Sequence, residues 1–212
     1  MLTAIVYAVS PWPFAQVLQS ATAMAAEPAK KKTTEQSTDQ AKSRNLPPKR
    51  VKRVGLPPGL LPLSALPDPV LEMRDAILEA VASGNIEDLR LALEWNELRP
   101  DLGIGRKTDA IANFKQISAL GDGLETLAVL GTILNTPPAK LPVGRDFENN
   151  AIYVWPGLSE MDLKSLSSAQ KVQLHQLMPT TDALQTIKSH KWHWYRLAIG
   201  ADGTWHVFKK ND

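Results

Sequence analysis

The chain has 212 residues, of which 43% are hydrophobic and 22% are charged, a composition typical of one globular domain with accessory segments. It contains no cysteine, which excludes disulfide bonds, thiolate metal ligands and a cysteine nucleophile. The net charge of +2 is unevenly distributed, because residues 1–26 carry no charge and residues 27–55 hold nine Lys or Arg against three acids. Residues 56–212 therefore hold 15 basic and 19 acidic residues, so the tail is basic and the remainder is acidic.

The uncharged start of the chain has the pattern of an export signal. An apolar stretch ends in the small-residue sequence Ala23-Met24-Ala25, which predicts a signal peptide over residues 1–25 and a periplasmic or secreted protein. The charge order is unusual, since no Lys or Arg precedes the apolar stretch and Lys30 to Lys32 follow it. The alternative is a protein anchored in the membrane through residues 1–26.

Residues 26–67 have the composition of a disordered linker, first basic and then rich in proline. Such a segment offers no apolar periodicity with which to pack. Its lysines and arginines predict at most a weak contact with a membrane surface. We do not expect nucleic acid as a partner, because no aromatic residues are interleaved with the basic ones.

The folded domain is predicted to span residues 68–212 and to begin with helices. Asp68-Pro69 starts an amphipathic helix that Ser83-Gly84 ends, and Asn85 caps a second one, so the two form a helical hairpin. A loop-like region over 99–123 could hold a short helix around Ile111 to Ile117. A third main helix over about 124–134 is apolar on most sides, which is typical of a buried helix.

The second half of the domain is predicted to add a small sheet. Residues 151–155 read as a short strand closed by Pro156, and helices over about 169–177 and 181–188 follow. A C-terminal β-hairpin completes the chain. The predicted class is therefore α+β, with an N-terminal helical hairpin and a third helix before a small antiparallel sheet.

The C-terminal hairpin is the clearest pattern in the sequence. Ala201-Asp202-Gly203 suits a three-residue turn with glycine in the left-handed region. Uninterrupted pairing outward from this turn places Ile199 opposite Trp205 and Arg196 opposite Phe208.

Alternation along the two strands then predicts two different faces. The predicted core face consists of Tyr195, Leu197, Ile199, Trp205 and Val207. The other face mixes flat rings with cationic or titratable groups and forms the candidate binding face, made of Trp192, Trp194, Arg196, His206 and Phe208. The alternative is that a helix or another strand covers these rings, since aromatic residues in strands are often packing residues.

Three segments carry a resemblance to a known family: Tyr153-Val154-Trp155-Pro156, residues 166–172 and residues 195–206. In these phrases the sequence resembles a family of uncharacterised exported proteins of Gram-negative bacteria, over roughly residues 68–212. The resemblance implies export, but it carries no functional residue, because the family has no assigned activity. The sequence departs from the family pattern at Gly157, where an aromatic residue is expected after Trp-Pro.

No catalytic motif is present, which predicts a protein without enzymatic activity and without a cofactor or metal. His190 and His193 are spaced as a ligand pair, but three converging ligands are needed for zinc and His206 belongs to the opposite face of the hairpin. Acids such as Glu72 and Glu87 fall on amphipathic helices, where they normally form the solvated side.

The favoured function is that of an exported, non-enzymatic cell-envelope domain that acts through protein contacts. One alternative is binding of peptidoglycan or another cell-wall glycan through the C-terminal aromatic residues. The other is an unrecognised hydrolase, which a cleft gathering acids or histidines would favour.

Overall fold

Capping residues set the ends of the first two helices. The computed structural model describes residues 56–105, 107–144 and 150–211. Helix α1 spans Asp68–Ser83 and ends at Gly84, whose φ of 67° is the left-handed conformation that glycine adopts without steric cost. The Asn85 side chain accepts a hydrogen bond from the Glu87 amide at 3.2 Å and begins a 3-10 turn over Ile86–Asp88. Helix α2 follows over Leu89–Glu94 and completes the predicted helical hairpin.

Two further helices complete the N-terminal layer. Helix α3 spans Ala110–Ile117 and helix α4 spans Leu124–Leu134, as the apolar periodicity predicts. Helix α4 packs against α1 so closely that a Cβ on Gly131 would lie 2.8 Å from Cγ1 of Val81. The two helices are also joined by buried Arg74, whose Nε donates a hydrogen bond to the Leu134 carbonyl at 3.1 Å. This bond satisfies a carbonyl at the end of α4 that has no partner within its own helix.

The sheet has four antiparallel strands in the order β1-β2-β3-β4. Strand β1 spans Ala139–Pro142, β2 spans Ala151–Trp155, β3 spans Tyr195–Gly200 and β4 spans Trp205–Lys210. One face of the sheet packs on the helices, with α1 and α4 lying against β3. Its large buried side chains are Tyr153, Trp155, Leu197, Ile199, Trp205 and Phe208. The α+β class and the C-terminal hairpin predicted from the sequence are therefore confirmed.

Helices α5 and α6 lie between β2 and β3 in the chain. Helix α5 spans Ser168–Leu177, and Ser167 together with Gln170 forms a reciprocal capping box at its start. Helix α6 spans Thr180–Ser189 and ends at His190, which adopts φ of 56°. Helix α5 begins one residue earlier than the sequence predicts, and α6 begins one residue before Thr181, which the sequence predicts as its cap; both differences lie within the usual spread of helix boundaries.

Both edges of the sheet are partly covered by backbone pairing. Leu60 bridges to Ala139 on the β1 edge, and the Leu61 amide donates to the Pro138 carbonyl at 2.9 Å. On the β4 edge, the Asp101 amide donates to the His206 carbonyl at 2.8 Å and the Asp101 carbonyl accepts from the Phe208 amide at 2.9 Å. These short segments occupy edge groups that would otherwise be open to pairing with another chain.

The pairing of Leu60 corrects the predicted linker boundary at residue 67. Residues 63–65 form a 3-10 turn, and Leu66 is buried in the core. The folded domain therefore begins no later than Leu60, because leucines between the prolines pair with β1 or are buried in the core, which local periodicity does not reveal. The predicted signal peptide and the basic part of the linker lie outside the described residues. None of the helices in the described ranges is long and apolar enough to cross a membrane.

Candidate functional site

The hairpin turn forms as the sequence predicts, but the strand beyond it contains a β-bulge. Gly203 adopts φ of 86°, and the Gly200 amide donates to the Thr204 carbonyl at 2.9 Å. Ile199 pairs with Trp205, whereas Ala198 pairs with Val207, so His206 is an additional residue in β4. A bulge of this kind reverses the facing of every residue that follows it.

The bulge overturns part of the predicted division of faces. Phe208 pairs with Leu197, not with Arg196, and lies in the core with 1% of its surface exposed. Its ring stacks on Tyr195 at a centroid distance of 5.2 Å and lies 6.3 Å from the ring of Trp205. Val207 takes the opposite facing and is half-buried beside Ala198. Phe208 is therefore a packing residue and does not belong to an open binding face.

The two tryptophans of the candidate face are largely covered. Trp192 is 7% exposed, and its indole N–H donates to the Tyr195 carbonyl at 3.2 Å. Trp194 is half-buried, meets the Tyr195 ring edge-on at 5.2 Å and has the Lys210 ammonium 4.9 Å from its ring centroid. Neither ring offers an open stacking platform, which agrees with the alternative that these are packing residues.

Arg196 is held in an ion pair on the side of the sheet away from the core. Its guanidinium donates to the Glu160 carboxylate at 2.9 Å, and the side chain of Glu160 is only 18% exposed. Glu160 closes the 3-10 turn Gly157–Glu160 that follows β2. The pair connects this turn to β3, so Arg196 has a structural partner within the domain.

Of the five candidate residues, His206 alone is exposed, and it lines a groove at the turn end of the hairpin. The groove has a volume of about 640 Å³ and runs between the hairpin and residues 95–101. We call it the hairpin-end groove and define it by Trp95, Leu98, Asp202, Thr204 and His206. Trp95 is 54% exposed and Leu98 is 77% exposed, so two large apolar side chains face solvent at this groove.

The backbone around Gly200 brings Asp202 and His206 together. A Cβ at Gly200 would lie 2.5 Å from the Asp202 Oδ1 and 2.7 Å from the His206 Nε2. The absence of a side chain at residue 200 therefore leaves the space in which these two polar groups lie. Asp202 also accepts hydrogen bonds from the Thr204 amide at 3.0 Å and the Thr204 hydroxyl at 2.9 Å. The hydrogen bond from the Thr204 amide is the main reason that the pKa of Asp202 lies below its ordinary value, so this carboxylate is ionised at neutral pH.

The remaining charges give the hairpin-end groove an acidic character. Glu97 lines the groove with Asp202, and Asp101 is paired with Lys209 at 2.5 Å. Arg99 also lines the groove, and its guanidinium donates to the carbonyls of Gly105 and Thr108, so the acidic lining residues still outnumber the basic ones. The groove therefore combines exposed apolar surface with a negative rim and one imidazole.

Trp95 and Leu98 are the site residues that the sequence interpretation missed. A signal was available, because Leu91 and Trp95 lie away from the buried stripe that Leu89 and Ala92 make on α2. Leu91 is 53% exposed one helical turn before Trp95. Large apolar residues outside the core stripe of a helix indicate a contact surface.

The described part of the chain contains no group of three or more His, Asp or Glu side chains arranged to hold a metal ion. Comparison with known proteins gives no relative: no protein-family model, no curated protein and no solved structure matches the chain.

Proposed function

We propose that this protein is an exported, non-enzymatic domain that binds a partner protein of the cell envelope through the hairpin-end groove. The observation that carries the proposal is the exposure of Trp95 and Leu98 in a groove of about 640 Å³. Tryptophan is among the residues that most often dominate the binding energy of protein interfaces. Isolated exposed apolar residues are common, but two in one concave site form a patch that a partner can cover.

The chemistry of the groove also describes the partner. Glu97 and Asp202 place negative charge beside the apolar surface, and residues 56–212 are acidic as a whole. We expect a partner segment in which an apolar side chain enters the groove and a neighbouring Lys or Arg meets the rim. Complementary charge of this kind increases the association rate and selects the partner.

Binding of a cell-wall glycan is the second candidate. The aromatic ring available to stack on a sugar is then not one of those that the sequence predicts. Trp192 and Phe208 are buried, whereas the ring of Trp95 is open beside Asp202 and His206. A flat ring next to polar groups suits a sugar. The aliphatic side chain of Leu98 offers no hydrogen bond to a sugar hydroxyl, and for this reason we favour a protein partner.

Export and the envelope location are parts of the proposal that rest on the sequence of residues 1–25 and on the family resemblance. They are tested by the N-terminus of the mature protein and by its cellular fraction.

Site-specific photocrosslinking tests the groove itself. A photoreactive amino acid replaces Leu98 in the full chain, and a second variant carries it at Leu120, which is 83% exposed and does not line the groove. The expected result is one discrete protein adduct from position 98 in living cells and none from position 120. The proposal fails if position 98 gives no adduct or if both positions give the same pattern.

Sedimentation with purified peptidoglycan separates the two candidates. A protein-binding groove predicts that the chain stays in the supernatant and that Trp95→Ala changes nothing there. If the chain sediments with the glycan and Trp95→Ala releases it, the glycan is the ligand and the protein-partner proposal is overturned.

A further inference from the structure

A second cavity lies at the opposite end of β4 from the hairpin-end groove. It is an open depression with a volume of about 820 Å³, lined by Ser159, residues 161–164, residues 190–192, residues 209–211 and Gly103. Four separate parts of the chain therefore meet there: the loop after β2, the connection from α6 to β3, the end of β4 and the loop at Gly103. We call it the lysine pocket.

The lining of the lysine pocket is strongly basic. Its basic residues are Lys164, His190, Lys191, Lys209 and Lys210, and its only acidic residue is Asp162. Lys209 pairs with Asp101 at 2.5 Å and Lys210 pairs with Asp182 at 2.8 Å. Lys164 and Lys191 form no ion pair with any residue in the described ranges, so their charges remain available to a ligand.

Asp162 forms no ion pair with either lysine, although its charge interacts with those of Lys164 and His190. Its Oδ1 accepts a hydrogen bond from the Lys164 amide at 3.0 Å, and its Oδ2 accepts one from the Ser165 hydroxyl at 2.9 Å. Both oxygens are thus engaged within their own loop. The bond from the Lys164 amide is the main reason that the pKa of Asp162 lies below its ordinary value. The carboxylate fixes the loop that carries Lys164.

His190 fixes the loop on the other side of the pocket. Its Nδ1 lies 3.3 Å from the Leu163 carbonyl oxygen, and because a carbonyl can only accept, Nδ1 carries the hydrogen of this bond. The contact joins the loop of residues 162–164 to the end of α6, where His190 adopts the left-handed conformation. The two free lysines are therefore carried by segments that are tied together, which reduces the entropy cost of binding a ligand between them.

Trp192 forms a rigid wall of the same pocket. It is 7% exposed, and its indole N–H is already engaged with the Tyr195 carbonyl at 3.2 Å. The ring is too covered for a ligand to stack on it, but it lines the pocket, so its indole group reports on binding there. A compact, multiply charged anion matches the two unpaired ammonium groups.

We propose that the lysine pocket binds a phosphate monoester, with Lys164 and Lys191 as the main contacts to the phosphate. This site is separate from the hairpin-end groove and does not depend on the function proposed for that groove. The phosphate has two possible sources, a soluble phosphorylated sugar or similar metabolite and the headgroup of an anionic lipid. Ammonium groups bind phosphate as point charges through strong, charge-assisted hydrogen bonds.

An NMR titration of the full chain with inorganic phosphate tests the site. The indole resonance of Trp192 is the reporter, and sodium chloride keeps the ionic strength constant. We expect a saturable shift in the wild type and an affinity at least about tenfold weaker in the double variant Lys164→Gln/Lys191→Gln, because two charged contacts are lost. Both lysines are exposed, so thermal melts should show that this variant folds normally.

The matched control is the double variant Lys171→Gln/Lys188→Gln, which removes the same charge from exposed positions on α5 and α6 outside the pocket. Its phosphate affinity should equal that of the wild type. The proposal is overturned if phosphate gives no saturable shift of Trp192, or if the two double variants lose the same affinity.

Vesicle binding then identifies the source of the phosphate. The probe is phosphatidylcholine vesicles with and without phosphatidic acid, mixed with the full chain. Once the phosphate titration has succeeded, a loss of binding confined to Lys164→Gln/Lys191→Gln supports a lipid headgroup. Equal binding by both double variants supports a soluble phosphate ester, because the basic tail that both share then accounts for the attraction to the vesicle.

Discussion

Replacement of Phe208 tests the β-bulge that defines both faces of the hairpin. The side chain is 1% exposed and contacts the rings of Tyr195, Trp205 and Phe114 at centroid distances of 5.2, 6.3 and 6.2 Å. Phe→Ala in a core costs about 3–5 kcal/mol of unfolding free energy. We expect a value near the upper end of this range, since ring pairs add about 0.5–1.5 kcal/mol beyond the burial of area. Domains of this size have only about 5–15 kcal/mol in total.

Val207→Ala is the matched comparison at the neighbouring position. Val207 is half-buried on the other face, and its truncation removes the equivalent of two methylene groups, so the half-burial gives a cost of only about 1 kcal/mol. Urea denaturation monitored by circular dichroism measures both variants. Pairing without the bulge would exchange the two residues between faces. A loss for Val207→Ala equal to or larger than the loss for Phe208→Ala would therefore refute the bulge.

Three further predictions concern backbone packing, the domain boundary and export. Gly157→Ala should destabilise the domain strongly, because its Cβ would lie 2.7 Å from the backbone atoms Ala139 N and Pro137 O. Gly200→Ala displaces only the side-chain ends of Asp202 and His206 and should lower the melting temperature less, by the loss of the hydrogen bond from the Thr204 amide. Equal melting temperatures for the two variants would contradict this. The free energy of unfolding should be larger for residues 56–212 than for residues 68–212 by about 1.5–3 kcal/mol, the value of burying one leucine, here Leu66. Equal free energies of unfolding would show that the domain begins after residue 67, as the sequence predicts. Mass spectrometry of the mature protein should find an N-terminus near Ala26, and an intact Met1 in the cytoplasmic fraction would exclude cleavage.

The helices were the most predictable elements, because their signals are local. Asp68-Pro69 and Gly84 bracket α1, and the apolar run over 124–134 matches α4. Gly131, which weakens the helical pattern, is explained by the close approach of Val81 and not by a break in the helix. Capping residues and apolar periodicity act within one or two helical turns, so both can be recognised in a single sequence.

The hairpin turn was predictable and the pairing beyond it was not. Gly203 supplies the positive φ that the turn requires, which is a local property. The additional residue at His206 instead depends on the backbone of Asp101, which pairs with both sides of the bulge from more than 100 positions away. No local sequence pattern reveals that contact, and the predicted facing of Phe208 was therefore wrong.

Strand β1 was missed for a related reason. The segment Ala139–Pro142 is short and contains a proline. It shows no alternation of apolar and polar residues that would distinguish it from a loop. Proline is tolerated there because β1 lies at the end of the strand order, where one ladder is absent. The pairing of Leu60 with Ala139 is equally non-local and moved the domain boundary.

Gly157 lies in close packing with the segment before α1. A Cβ on Gly157 would lie 2.5 Å from Leu60 Cδ2, so a larger side chain would have to displace Leu60. The sequence interpretation assigned Leu60 to the linker and therefore gave no reason for a glycine at this position.

The affinity of the partner identified by crosslinking is the most direct test of the hairpin-end groove. Trp95→Ala and Leu120→Ala each remove one exposed apolar side chain, but only Trp95 lines the groove. Titration of the purified partner against both variants should show a loss of at least about 2 kcal/mol for Trp95→Ala, roughly a thirtyfold weaker complex, and wild-type affinity for Leu120→Ala. Wild-type affinity for Trp95→Ala, with the protein folded, would contradict the assignment of the groove as the binding site.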